Sequence, residues 1–233
     1  MNSDKQVEMI RSEVEKCSMA DSVIAVSEQE AQAYKNHGIQ NVHVLGHKIS
    51  TNPGDNTFIN REGLLFVGAL RDEGSPNVDS LLWFCINVLP LIEKKLENIK
   101  IYVVGDLGAP SLFTIKKENL SFLGQIKDLS EIYNRCRVFI APTRFAAGIP
   151  HKVHHATANG IPCVTTELLA NQLRWTPEKE LLVGKTSYAF AAECIRLHED
   201  QNLWENIRKN GLKAVEKDCS EANFRDNLKS IFT

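Results

Sequence analysis

Short, continuously apolar runs recur along this chain, separated by stretches of helical periodicity. Leu64-Leu65-Phe66-Val67, Ile101-Tyr102-Val103-Val104 and Val138-Phe139-Ile140-Ala141 are the clearest. A strand that is apolar on both faces needs cover on both, and a parallel sheet between two helical layers supplies it. Between residues 77 and 95, Val78, Leu81, Leu82, Cys85, Val88 and Leu89 repeat at helical spacing. Pro90 falls inside that run, where its missing N–H and its ring kink or restart a helix. Further strands are expected at 120–123, 161–166 and 181–183, and helices at 129–136, 151–159 and through most of 187–232. This alternation predicts the α/β class: a doubly wound, Rossmann-like parallel sheet of roughly six strands with right-handed crossovers. Upstream, Val23 to Ser27 and Asn41 to Leu45 read as short strands, and Ser27-Glu28-Gln29-Glu30 as a capping box opening a helix. The polar stretch 46–62 reads as a linker. The expected division is therefore 1–60, a short N-terminal α/β appendage with a hinge-like linker, and 61–233, the Rossmann-like domain with C-terminal helices.

Composition narrows the function classes. With 43% hydrophobic and 24% charged residues the chain can fill a core. A net charge of -2, with signs mixed along the sequence, argues against a nucleic-acid binder. The six cysteines form no C-x-x-C and sit mostly in apolar runs, which suits reduced thiols and a cytoplasmic setting. No apolar run reaches membrane-spanning length, and residues 1–16 carry no signal-peptide core; a small peripheral membrane patch would leave no such trace. There is no Ser-His-Asp set at recognisable spacing, no P-loop and no G-x-G-x-x-G.

Chemistry concentrates between Phe139 and Thr166. A strand ends at Ala141-Pro142, a loop of small residues follows, and a helix starts near Pro150 or His151. Ala146-Ala147-Gly148 lets backbone N–H groups approach a ligand, and the helix start adds unpaired donors and partial positive charge. Arg144 and Lys152 add full charges on either side. Together they read as a diphosphate cradle or, equally, as a tight loop with two solvated basic residues. His151, His154 and His155 share the following helix. His151 and His155 lie on one face, as in zinc sites, but no nearby Cys, Asp or Glu completes a ligand set, so they read as pocket-lining groups and no metal is expected. Trp83 falls on the apolar face of its helix and reads as core, whereas Trp175 falls in a loop and reads as a surface or partner contact.

The run VFIAPTRFAAGIPHKVHHATANGIPCVTT resembles the donor-binding segment of retaining family-four (group 1) glycosyltransferases. LLFVGAL with SPNVDSLLWFCINVLPLI, then IYVVGD, then LSFLGQIKDLSEIYNRC resemble the preceding segments in the same order. The resemblance covers Leu64 to Asn171 well and the C-terminal helices more loosely. ADSVIAVSEQEAQAY and VHVLGH resemble the last part of the N-terminal domain of those enzymes. The resemblance implies one half of a GT-B fold and a nucleotide-diphosphate sugar as donor. The loop at Ala147 and Gly148 would hold the diphosphate, with Lys152 and Arg144 as the cations that aid its departure. Gln125, Ile126 and Asp128 would read the nucleobase, Gly68 would lie under the diphosphate, and His151 would line the pocket. It also implies retention of anomeric configuration without a metal cofactor.

The departures are specific. The family often carries E-x-x-x-x-x-x-x-E, whose second glutamate grips the donor ribose. Those positions are Ala147 and His155 here, and a neutral histidine is a weaker acceptor than a carboxylate. The family's arginine and lysine after the first strand have no clear match; Arg71 is only nearby. The stretch before the linker is too short for an acceptor-binding domain. A natural truncation, one subunit of a split enzyme and a fragment all fit this. Two functions follow: transfer of a sugar to an unidentified acceptor, or an inactive nucleotide-sugar-binding or scaffold subunit. The appendage strands, lacking a full sheet, would favour a homo-oligomer or a partner subunit.

Overall fold

In the computed structural model, which describes residues 3–146 and 148–232, the chain divides into two compact units. One comprises the residues up to Lys48 and those from Asp218 onward; the other is Ile49–Lys217. This differs from the division expected at residue 60: the boundary falls earlier, and the last helix groups with the appendage.

The first unit contains α1 (Ser3–Cys17), β1 (Val23–Ala25), α2 (Glu28–Asn36) and β2 (Val42–Val44). β1 and β2 pair in parallel as a two-stranded sheet. Its small core gathers Val23, Ala25, Ala31, Ile39 and Val42. The capping box at α2 forms: Ser27 Oγ accepts from Glu30 N at 3.1 Å, and the Glu30 carboxylate accepts from Val26 N at 2.7 Å. The first bond satisfies an N–H that helix geometry would otherwise leave open; the second reaches back to the residue before the N-cap instead of to the N-cap itself.

The second unit is the expected doubly wound sheet. In chain order it runs β3 (Glu62–Val67), α3 (Pro76–Trp83), a π turn (Phe84–Val88), α4 (Leu89–Glu93), β4 (Ile101–Val104), β5 (Leu120–Gly124), α5 (Ser130–Arg135) and β6 (Cys136–Ala141). It continues with α6 (His151–Ala158), β7 (Cys163–Thr165), α7 (Glu167–Leu173), β8 (Leu182–Val183), α8 (Ser187–Glu199) and α9 (Gln201–Cys219). The closing helix α10 (Glu221–Ile231) belongs to the first unit. All pairings in the six-stranded sheet are parallel, in the order β5-β4-β3-β6-β7-β8.

The apolar runs are buried as a two-sided sheet requires. Leu64, Phe66, Val138 and Ile140 join the core built with Leu81, Phe84, Val88, Phe190 and Trp204. Leu65 and Phe139 alternate to the other side and are also fully buried; Phe139 packs on Tyr133, ring centroids 6.3 Å apart. The fault anticipated at Pro90 takes the form of the π turn. Leu89 N reaches back to Phe84 O, so the ladder skips a register just before the residue that cannot donate. All six cysteines are free, and burial pushes Cys85, Cys136 and Cys163 up to about 12, so they act as protonated packing groups. Trp83 packs edge-on against Phe190 with centroids 5.9 Å apart, as a core-facing residue should. Trp175 lies in a loop as expected, but not at the surface. It is only 6% exposed and meets the His154 ring edge-on at 5.3 Å. Helix α7, which ends just before it, went unread in the sequence and folds the indole inward.

Candidate functional site

β3 and β6 are neighbours although β4 and β5 lie between them in sequence. From β3 the chain winds outward to β5 on one side; from β6 it winds to β8 on the other. At such a reversal the two following loops diverge and leave a crevice at the carboxyl ends of the strands. Two cavities open there. The first, about 340 Å³, is lined by Gly68, Asn77, Thr143, Gly148, His151 and Lys152 among others. The second, about 460 Å³, is lined by Lys127, Asp128, Tyr133, Lys152, His155 and Asn159 among others. Val67 and Lys152 line both, so Lys152 stands between them.

The local sequence explains that placement. β6 delivers the chain to the carboxyl end of the sheet, and Gly148 turns it with φ +79°, a left-handed conformation that costs glycine least. Pro150 then opens α6 without a side-chain cap. The helix start therefore presents its N-terminal dipole to the crevice with no acidic residue in its first turn. The Lys152 ammonium donates to Asn77 Oδ1 at 2.8 Å and lies 5.3 Å from the centroid of the Phe66 ring. Burial holds its pKa down at about 8. Among the described residues no carboxylate comes within ion-pair distance of it. A half-buried cation lacking a carboxylate at an uncapped helix start is a place for an anion. Gly68 matters by what it lacks: a Cβ there would lie 2.7 Å from the Asn77 side chain that holds Lys152.

A family model described as glycosyl transferases group 1 matches residues 61–200, more than half of the chain. The chain belongs to that family. It is 28% identical over 156 residues to the capsular polysaccharide biosynthesis glycosyltransferase CapM of Staphylococcus aureus, covering 63% of this chain and 41% of CapM. Among solved structures it is similar to a S. aureus TarM mutant in complex with fondaparinux, α-GlcNAc-glycerol and UDP. That likeness has a TM-score of 0.79 at 12% identity and covers 94% of this chain and 45% of TarM. It is also similar to the pneumococcal O-GlcNAc transferase GtfA in complex with UDP and GlcNAc, with a TM-score of 0.74 at 16% identity, covering 95% and 46% of the two chains. This group 1 glycosyltransferase chain thus spans under half the length of each of these relatives.

The crevice collects part of the expected site. Gly68, Gly148, His151 and Lys152 line the first cavity; Asp128 and His155 line the second with Lys152. Asp128 accepts from Ser130 N at 2.9 Å, and hydrogen bonds from Ser130 hold its carboxyl below the usual range. His155 is exposed on α6. Ala147 lies outside the described residues. Gln125 is exposed and Ile126 half-buried beyond β5, and neither lines these two cavities. Arg144 does not join Lys152. Its guanidinium pairs through two nitrogens with Asp79 in the first turn of α3, and it lines a separate cleft with Trp83, Glu167 and Lys185. Arg71 pairs with Asp106 and lines neither cavity. The sequence reading missed Asn77, Thr143, Gln172, Lys127 and Tyr133. Asn77 carried a signal, since Ser75-Pro76 marks a helix start whose next residue faces the crevice.

Among the described residues no group of three or more His, Cys, Asp or Glu is placed to hold a metal ion, and no helix is long and apolar enough to cross a membrane.

Proposed function

We propose that the Ile49–Lys217 unit binds a nucleoside-diphosphate sugar, and that the protein to which it belongs transfers that sugar to an acceptor. The observation that carries this is the position of Lys152, desolvated and unmatched by a carboxylate, at the start of α6 between two cavities. The diphosphate bridges the cavities at Lys152. The nucleoside occupies the second, beside Tyr133, Asp128 and His155, and the sugar occupies the first. As the bond between sugar and diphosphate breaks, negative charge grows on the departing phosphate oxygen. The Lys152 ammonium and the N-terminal dipole of α6 are already oriented to stabilise it. Gly148 keeps the approach free of a side chain. Arg144 is left out of this machinery because Asp79 holds it.

The test is calorimetric binding of UDP, GDP and ADP and of their hexose conjugates. One nucleobase series is expected to bind selectively, with the nucleoside diphosphate alone retaining most of the affinity. Absence of binding at millimolar nucleotide would contradict the proposal. The exposed His155 imidazole, a weaker acceptor than a carboxylate, favours a second reading: a subunit that binds the donor without turning it over. Selective binding with no transfer by the complete protein would choose that reading.

A further inference from the structure

We propose that Asn77 is a positioning residue for the diphosphate: its uncharged amide holds the Lys152 ammonium in place and leaves the ammonium charge to the ligand. The proposal rests on the nucleotide-sugar reading above. Asn77 and Asp79 both stand in the first turn of α3, where Ser75 Oγ caps Val78 N and Pro76 opens the helix. Two residues apart on a helix, they point in different directions. Asp79 meets Arg144, its Oδ2 accepting from Nε at 2.9 Å. Asn77 meets Lys152, its Oδ1 accepting from Nζ at 2.8 Å. One turn of helix thereby sorts two cations: a carboxylate neutralises Arg144, and an amide leaves Lys152 charged.

The direction of the amide follows from chemistry, because an ammonium has only donors and can meet only the oxygen. The surroundings fix the contact. A Cβ on Gly68 would lie 2.7 Å from Asn77 Cγ, so the glycine leaves the room that the amide occupies. The Phe66 ring of β3 lies 5.3 Å from Nζ. The titratable groups lining the two cavities are His151 and His155 on α6, and Lys127, Asp128 and Tyr133 around α5. The nearby carboxylates are engaged elsewhere. Asp79 holds Arg144, Asp128 accepts from Ser130 N, and Glu167 at the start of α7 pairs with Lys185. A carboxylate in place of the Asn77 amide would have nearly the same shape. At hydrogen-bond distance in a desolvated setting it would form an ion pair, which an incoming diphosphate would have to displace. An apolar side chain of that size would leave the ammonium without this acceptor and weaken its hold on the proton. The amide locates Nζ and opposes no charge.

The experiment follows Lys152 in Asn77→Asp and Asn77→Leu with two readouts. One is the pH titration of its ε-methylene NMR signal in the unliganded protein; the other is calorimetric affinity for UDP, GDP and ADP. In the parent protein the midpoint is expected near 8, where burial places it. Asn77→Asp is expected to move it up, past about 9, and Asn77→Leu to move it down. Affinity for the nucleoside diphosphate at pH 7 is expected to fall at least about tenfold in Asn77→Asp and about three- to tenfold in Asn77→Leu. Thermal melts confirm that each variant is folded. A purely structural role would lower affinity in both without moving the midpoint in opposite directions. Midpoints that stay in place or move the same way overturn the proposal, as does undiminished affinity in Asn77→Asp. If one variant does not fold, the direction of the midpoint in the other decides. If the parent protein binds no nucleotide while the midpoints divide as expected, the donor reading fails and the tether itself stands.

Discussion

Replacing Lys152 by methionine is expected to weaken nucleoside-diphosphate binding by about 2 kcal/mol, roughly 30-fold, while raising the stability of the unliganded protein. The two effects have one cause. Burial pushes the ammonium from its ordinary 10.5 down to about 8. In the unfolded chain Lys152 keeps its proton up to about 10.5, so between 8 and 10.5 the unfolded state binds more protons. The unliganded protein therefore gains stability from this group as pH rises through that window, and the cost of the desolvated charge is fully present below about 8. An anionic ligand reverses the balance, because it favours the charged form. Affinity should be highest below about pH 8 and decline above it, with proton uptake on binding in that range. Methionine has similar length and no charge, so it removes both pH dependences. Calorimetry in buffers of different ionisation enthalpy, with thermal melts from pH 7 to 10, reads all of this. Affinity indifferent to both the substitution and the pH would show that Lys152 does not face the anion.

The largest effect on stability is expected at Arg61. It is 1% exposed, and burial, with Arg208 nearby, lowers its pKa to about 10. The guanidinium donates to Asn56 O at 2.9 Å, Tyr133 O at 2.7 Å and Asn134 Oδ1 at 3.4 Å, and lies 5.4 Å from the centroid of the Trp204 ring. It thereby ties the entry of β3 to the end of α5, where Tyr133 lines the second cavity. Arg61→Ala orphans these acceptors and opens a void beside Trp204. The expected loss is about 3 kcal/mol, a shift of roughly 6–12 °C in Tm for a domain of this size. Arg61→Met fills the void but leaves the carbonyls unpaired, so it should recover only part of that. A loss below about 1 kcal/mol in denaturant titration would mean that water replaces the guanidinium.

What was legible in the sequence follows from burial. β3, β4 and β6 announced themselves because a strand covered on both faces has no polar alternation to confuse with anything else. The start of α6 was legible for a related reason: strand, glycine turn and helix follow directly in the chain, so Gly148, His151, Lys152 and His155 arrive as one local pattern. Gly68 and Asp128 came through the resemblance rather than through spacing, and both line the crevice. Arg144 had the charge expected of a phosphate ligand, but its partner Asp79 comes from α3, far away in sequence, and no local rule pairs them. Thr143 and Gln172 were invisible for a similar reason. They line the first cavity because the loop after β6 packs against α7, which no local rule defines. α7 has seven residues, and its N-cap Thr166 turns its hydroxyl to Thr143 O instead of capping the helix, so neither length nor cap marked it, and the burial of Trp175 in the loop beyond it went unread.

A crystal structure of this chain with its preferred nucleoside diphosphate tests the central claim most directly. The account predicts the diphosphate at the start of α6, with phosphate oxygens in reach of Lys152 Nζ and the backbone after Gly148, and the base in the cavity beside Tyr133 and Asp128. The Arg144–Asp79 pair should remain closed. Phosphate bound at Arg144 with that pair broken, or a nucleotide seated away from Lys152, would contradict it.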